Sequence, residues 1–214
     1  MTTIANVSVE GDATNKDGSA ANGRAAKLPI IIVPGFHNAV LTDRLVRSLP
    51  SFVHPMVAQS HPTSPLSIYD WMQGHFSPDS QESTIPLVGI SFSAGTVGIA
   101  GALALWQQQG GRVSRLIAVD GWGVPILGVP VTRLSHDKFT HVSSLPFGAG
   151  DVNFYANPAV AHLDLWSSPE SVIGQAVQSW QLAPGTTMSA ADFLRRSLRT
   201  EWNKSFSWRT VTYR

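Results

Sequence analysis

The run Leu87-Val88-Gly89-Ile90-Ser91-Phe92-Ser93-Ala94-Gly95 decides how this chain reads. An apolar strand, Ile85 to Ile90, meets a serine, and small residues then open a helix. The pattern is that of a nucleophile elbow, G-x-S-x-G, with Ser93 in place of the second glycine. A serine on so tight a strand-to-helix turn has unusual backbone angles, and bulky side chains two residues to either side would collide. Its Oγ projects beyond the sheet edge, and the N–H of the next residue, Phe92, is left for an oxyanion. The register favours Ser91, which directly follows the apolar run and keeps Gly89 two residues before it. Ser93, read through Ser91-Phe92-Ser93-Ala94-Gly95, is the rival nucleophile.

Outward from this run, strands alternate with helices. Leu28 to Val33 is a β-branched run without alternation, as in a strand buried on both faces, and it ends at Pro34-Gly35-Phe36-His37. Helices are expected over about 40–48, 64–74 and 94–108, the second opened by Ser64-Pro65. Gly95, Gly98 and Gly101 recur at helical spacing, and close packing of that helix on the sheet is the expected compensation. Arg115 to Val119 is another buried strand, ending at Asp120-Gly121-Trp122. Residues 123–135 read as irregular, Lys138 to Ser144 as a strand and 145–158 as loop. Val160 to Asp164 reads as a late strand, with a helix from the capping-box pattern at Ser167-Ser168-Pro169-Glu170 to about Trp180. A last helix runs from Ser189 to about Trp202. The expected fold class is α/β, a three-layer sandwich with a mostly parallel central sheet and helices on both faces.

Composition bounds the function. The 214 residues suit one domain with a full core, 43% are hydrophobic and 14% charged, and the net charge of +1 offers no field for nucleic acid or an anionic membrane. There is no cysteine, hence no thiolate nucleophile, disulfide or thiolate metal site. Residues 1–27 lack aromatics and read as a disordered tail, 28–205 as the folded domain and 206–214 as a basic tail. No run has the length of a membrane span or the apolar core of a secretory signal, so a cytoplasmic protein is expected. The sequence carries no signal for oligomeric state.

In such a fold the reactive groups sit in loops at the carboxyl ends of the strands. Ser91, Asp120 and His162 follow in the order nucleophile, acid, base. Serine is a weak nucleophile at neutral pH; a histidine must take its proton, and a carboxylate must hold the imidazole in the right tautomer. The Phe36 amide, after the first strand, is the expected second oxyanion donor beside Phe92. Asp151, in Gly148-Ala149-Gly150-Asp151, is the alternative acid. His37 lies beside the oxyanion turn and reads as a loop residue. His136 and His141 flank Asp137 at a spacing that suits neither a helical nor a strand metal pair. The Arg195–Arg199 region with Trp202 reads as a solvated helix face.

Several segments resemble the α/β-hydrolase superfamily, and its neutral-lipase branch in particular. They are Ile31-Ile32-Val33-Pro34-Gly35-Phe36, Gly98-Ile99-Ala100-Gly101, Ala118-Val119-Asp120-Gly121, Thr132-Arg133-Leu134-Ser135 before Lys138-Phe139, and His162-Leu163-Asp164-Leu165-Trp166. The resemblance covers roughly residues 28–175. It implies a serine hydrolase of a small carboxylic ester or acyl-thioester that works through an acyl-enzyme with no cofactor. The segment before His162 is too short for a lipase lid, and the branch's C-terminal β-sandwich is missing. A second reading is a binding or scaffold member of the fold without catalysis, motivated by Ser93 in place of glycine.

Overall fold

A computed structural model of the chain describes residues 27–76, 85–178 and 185–207. The expected N-terminal tail, apart from Lys27, and most of the expected basic tail lie outside the described residues. Among the described residues eight strands form one sheet: β1 (Leu28–Val33), β2 (Val53–Val57), β3 (Leu87–Phe92), β4 (Val113–Val119), β5 (Val131–Ser135), β6 (Val152–Ala156), β7 (Ile173–Gln178) and β8 (Thr186–Ser189). Their order is β2-β1-β3-β4-β5-β6-β7-β8. The pairings from β2 through β6 are parallel, and β7 and β8 add an antiparallel edge. The helices that cover the faces among the described residues are α1 (Ala39–Ser48), α2 (Pro65–His75), α3 (Gly95–Gln108), α4 (Lys138–Ser144), α5 (His162–Ser167) and α6 (Ala190–Ser207). The α/β three-layer arrangement is as the sequence predicts.

Strand alternation sorts the core into two layers. Leu28, Ile30 and Ile32 of β1 join Val88, Ile90 and Phe92 of β3 against Leu45 of α1, Leu165 and Trp166 of α5, and Phe193, Leu194 and Leu198 of α6. Ile31 and Val33 face the other way, with Leu87 and Leu116, onto Ile68 and Met72 of α2 and Ile99, Leu103 and Trp106 of α3. A side chain at Gly98 would run into the Pro62 carbonyl and Ile68, and one at Gly101 would lie 2.7 Å from Pro65. The two glycines therefore serve the contact of α3 with α2 and the turn before it, rather than the expected contact with the sheet.

Several expected elements differ. Residues 138–144 are helical, not extended: Asp137 caps them by accepting from the Thr140 amide at 2.6 Å, and Thr140, His141 and Ser144 are buried at helical spacing. Val131–Ser135 and Val152–Ala156, read as irregular and as loop, are strands. Residues 162–167 form α5 rather than a strand. The expected helix after Ser167 is a turn followed by β7, whose Gly174-Gln175-Ala176 runs antiparallel beside β6 in register with Ala156, Tyr155 and Phe154; Ser168-Pro169-Glu170 carries a capping pattern without a helix. Helix α6 continues to Ser207, past its expected end near Trp202. Among the described residues no helix is long and apolar enough to cross a membrane.

At the amino-terminal edge of the sheet, α6 is tied down by a buried ion pair. Glu201, 1% exposed, accepts from Arg115 Nε at 2.7 Å, from Lys204 at 3.0 Å and from the Ser114 hydroxyl. Burial pushes its carboxyl up, but the bonds from Ser114, Arg115 and Lys204 outweigh burial and hold it below its ordinary value. A carboxylate depressed in the folded chain contributes stability that is complete above its unfolded pKa and lost as pH falls through the folded one. Urea unfolding followed from pH 7 to pH 3 is therefore expected to show stability falling once pH drops below about 4.3, the unfolded glutamate value. Glu201→Gln should lose about 3 kcal/mol at pH 7, because it leaves the buried Arg115 uncompensated, and should show a shallower acid slope.

Candidate active site

Two neighbouring parallel strands end in a residue with left-handed backbone angles. Ser93, after β3, has φ +51°, and Asp120, after β4, has φ +50°. The ladder fixes both, since Ser93 N donates to Val119 O at 2.9 Å and Asp120 N to Leu134 O at 2.8 Å. The serine at the strand-to-helix turn is thus Ser93, whereas the sequence reading expected Ser91 there. Strand β3 runs two residues further than its apolar stretch, pairing Ser91 with Ala118 and Phe92 with Val119. Ser91 is 0% exposed, and its Oγ lies 3.0 Å from Thr96 Oγ1 in the first turn of α3. Ser91 is a buried link between strand and helix.

Close backbone approach explains the small residues around Ser93. A Cβ on Gly95 would lie 2.6 Å from the Pro34 carbonyl oxygen, and one on Gly35 would lie 3.2 Å from Ser93 Cβ. The Pro34-Gly35-Phe36 turn after β1 therefore rests against the elbow. Phe92 closes the strand, so the residue after the turn serine is Ala94, not Phe92. The Ala94 N–H precedes the first turn of α3 and has no intrahelical acceptor. The Phe36 amide makes no hydrogen bond among the described residues, and the Phe36 ring is exposed, edge-on to His61.

The structure brings His162 and Asp120 together. His162, the first residue of α5, places Nδ1 2.8 Å from Asp120 Oδ2. Its ring stacks on Phe92 with centroids 4.5 Å apart, and Trp166, one turn later, stacks on the same phenyl at 5.0 Å. Phe92 thus supports the imidazole through its ring, a role the sequence reading missed. Asp151 does not approach His162. It lines a separate cleft at the opposite edge of the sheet with Arg112, Ser114, Glu201 and Lys204.

A second imidazole shares the acid. His136, directly after β5, donates its backbone N–H to Asp120 Oδ1 at 2.9 Å and places Nδ1 3.0 Å from Oδ2. Its neighbour Asp137 is raised by burial but held below its ordinary value by the Thr140 amide, the Thr140 hydroxyl and the charge of His136. His141 points the other way, stacked on Tyr155 at 5.2 Å; burial, with Lys138 nearby, pushes its imidazole down. Asp120, His136 and His162 have donor atoms within 4.8 Å of one another and form a potential metal-ligating group among the described residues. A carboxylate is acceptor-only, so two Nδ1 atoms at 2.8 and 3.0 Å from it read as N–H donors.

The serine turn, Asp120, His136 and His162 open onto one cleft of about 540 Å³, whose other walls are Val97, Trp122, Val124, Phe139 and Thr140. Trp122 and Phe139 are 60% and 73% exposed, and Trp122 Nε1 is fixed by Ser143 Oγ at 2.8 Å. Arg133 holds the wall loops from beneath. It is 2% exposed and donates to the carbonyls of Gly148 (2.7 Å), Gly121 (2.9 Å), Val124 (2.8 Å) and Phe147 (2.8 Å). Burial pulls its pKa down to about 10, so it stays charged at neutral pH. The sequence reading weighed His136 only as half of a metal pair with His141 and gave Arg133 no role of its own; recognising Val131–Ser135 as a parallel strand beside β4 would have drawn attention to both.

No model of a known protein family matches the chain, and no curated protein does. Among solved structures the chain is similar to lipase B of Aspergillus fumigatus, with 16% sequence identity and a TM-score of 0.37, over 55% of this chain and 39% of that one. The chain thus spans less than half the length of the lipase it matches.

Arg133→Met keeps the bulk of the side chain and removes its donors. It leaves buried carbonyls unpaired and should cost about 3 kcal/mol or more, measured by urea unfolding at pH 7. Protease cleavage should appear first in the segments 121–124 and 147–148.

Proposed function

We propose that the chain is a serine hydrolase of carboxylic esters or acyl-thioesters, with Ser93 as nucleophile, His162 as base and Asp120 as the residue that orients His162. The observation that carries this reading is the 2.8 Å bond from His162 Nδ1 to the buried Asp120, in a cleft whose floor holds a serine at a left-handed strand-to-helix turn. With Nδ1–H committed to Asp120, His162 Nε2 carries the lone pair that takes a proton. Ser93 Oγ attacks the acyl carbon as its proton passes to Nε2, and the carbonyl oxygen becomes an oxyanion. The amides of Ala94 and Phe36 are the donors for it, and each is worth about 3 kcal/mol of transition-state stabilisation. The alcohol or thiol leaves with the proton from Nε2, and water then releases the acid from the acyl-serine by the same steps. Val97, Trp122 and Phe139 give the substrate an apolar wall, so the acyl or leaving group that rests there is apolar too.

A fluorophosphonate probe should label the wild type and Ser91→Ala but not Ser93→Ala. No adduct on the wild type would favour the non-catalytic binding reading, and an adduct that survives Ser93→Ala would reassign the nucleophile. His162→Ala and Asp120→Asn should lower kcat/KM by about 10³-fold or more on p-nitrophenyl esters. Across acetyl, butyryl and hexanoyl esters, kcat/KM should rise by up to about fourfold per methylene, in line with about 0.8 kcal/mol per buried CH₂. Trp122→Ala should flatten that series while leaving the acetyl ester little changed.

A further inference from the structure

We infer that Asp120, His136 and His162 form a site for one divalent transition-metal ion of the zinc class, and that the bound ion holds the hydrolase at rest. The site stands on geometry; its effect on activity rests on the hydrolase reading. Both imidazoles place Nδ1 against the same oxygen, Asp120 Oδ2, His136 at 3.0 Å and His162 at 2.8 Å. One donor atom from each of the three residues lies within 4.8 Å of the others. Ligands held by zinc at about 2.0–2.1 Å and set about 90–109° apart lie about 2.9–3.3 Å from each other. The two Oδ2–Nδ1 edges are therefore close to those of a coordination shell. Two nitrogens and a carboxylate oxygen suit zinc, cobalt or nickel rather than magnesium or calcium, which take oxygen ligands.

The surroundings support the ion. Asp120 is buried, and the backbone N–H of His136 fixes its other oxygen, Oδ1, at 2.9 Å, which leaves Oδ2 to both imidazoles. A second carboxylate stands behind His136, with Asp137 Oδ2 3.5 Å from its Nε2. When a metal takes Nδ1, the imidazole proton resides on Nε2, and a carboxylate facing that N–H orients the ring and strengthens the ligand. The carbonyl of His136 accepts from Val160 N at 3.0 Å, so the strand end that carries one ligand is tied to the segment leading into the other. The side chains of His136 and His162 are 27% and 42% exposed and line the cleft, where water completes the shell. Binding removes the base. On each imidazole Nδ1 gives its proton to solvent and Nε2 gains one, so both rings stay neutral. His162 Nε2 then carries N–H in place of the lone pair that takes the Ser93 proton.

The test uses the intact, untagged chain after treatment with a chelator and desalting. Zinc titrated in by calorimetry should bind at one ion per chain, and cobalt should give the visible absorption bands of a site with nitrogen ligands. In the same wild type, cobalt should shift or broaden the imidazole ¹H–¹⁵N resonances of His136 and His162 ahead of the other histidines, which identifies the ligands without a substitution. His136→Ala should weaken zinc binding by about 100-fold or more, and Asp137→Asn, which keeps an oxygen for the helix cap, by about tenfold. Saturating zinc should slow fluorophosphonate labelling of wild-type Ser93 by about tenfold or more, and a chelator should restore it. In His136→Ala, measured against its own zinc-free rate, the same zinc should change labelling little. No binding by the folded wild type at millimolar zinc overturns the proposal, as does binding that leaves the His136 and His162 resonances unmoved. Zinc that binds both residues yet leaves labelling unchanged overturns the resting form. Failure of the hydrolase reading registers separately, as absent Ser93 labelling without zinc while zinc still binds His136 and His162.

Discussion

The register between β3 and β4 is the constraint on which the site depends. Two parallel strands paired Ser91 to Ala118 and Phe92 to Val119 must end at the same level, and both end by turning through a left-handed residue. Ser93 and Asp120 are thereby delivered to one sheet edge, at the mouth of one cleft. Thr96 sits beneath this double turn, fully buried, with its hydroxyl on Ser91. A Cβ on Gly121 would come 2.6 Å from the same hydroxyl. The small residues at 91, 95 and 121 are therefore a requirement of two loops packing over one helix start, and the half-buried Ser93 is what that packing leaves at the cleft.

The residues that would do chemistry sit on loops, and loops need anchoring. A buried guanidinium supplies much of it here. Arg133 meets four backbone carbonyls and no carboxylate, so its charge is solvated by the loop peptides themselves. A buried cation of this kind costs desolvation energy that only a complete set of acceptors offsets, which makes the loop conformation and the charge mutually dependent. On the opposite side of the cleft, aromatic stacking does the equivalent work: Phe92 carries His162 and Trp166 on its ring, and Trp166 reaches Thr42 of α1 at 3.3 Å.

What was legible in the sequence follows physical lines. The buried strands β1, β3 and β4 announce themselves as unbroken β-branched or apolar runs, and the order serine, aspartate, histidine places Asp120 beside His162 as read. The one-strand-later acid, Asp151, loses to a fact of topology, since it precedes β6 and so lies at the wrong edge of the sheet. Ser91 lies inside β3 rather than at the turn because the strand runs on past its apolar stretch. A serine inside a ladder is tolerated when its hydroxyl finds a partner, and Thr96, five residues on, provides one. Strand β5, with Thr132, Arg133 and Ser135 among its five residues, hid behind polar side chains whose partners lie elsewhere in the chain, loop carbonyls for Arg133 and the Arg115 guanidinium for Thr132. His136 was hidden with it. Residues 138–144 and 173–178 exchanged helix for strand because caps and pairing partners, not local propensity, settle short segments.

The central claim is that Ser93, not Ser91, meets the substrate, with His162 and Asp120 behind it. A crystal structure of the chain after reaction with a fluorophosphonate tests it most directly. The account predicts phosphorus bonded to Ser93 Oγ, a phosphoryl oxygen about 2.7–3.1 Å from the Ala94 amide, and His162 still on Asp120 with Ser91 buried beneath Thr96. Phosphorus on Ser91 Oγ, or on a residue outside the cleft, would contradict it.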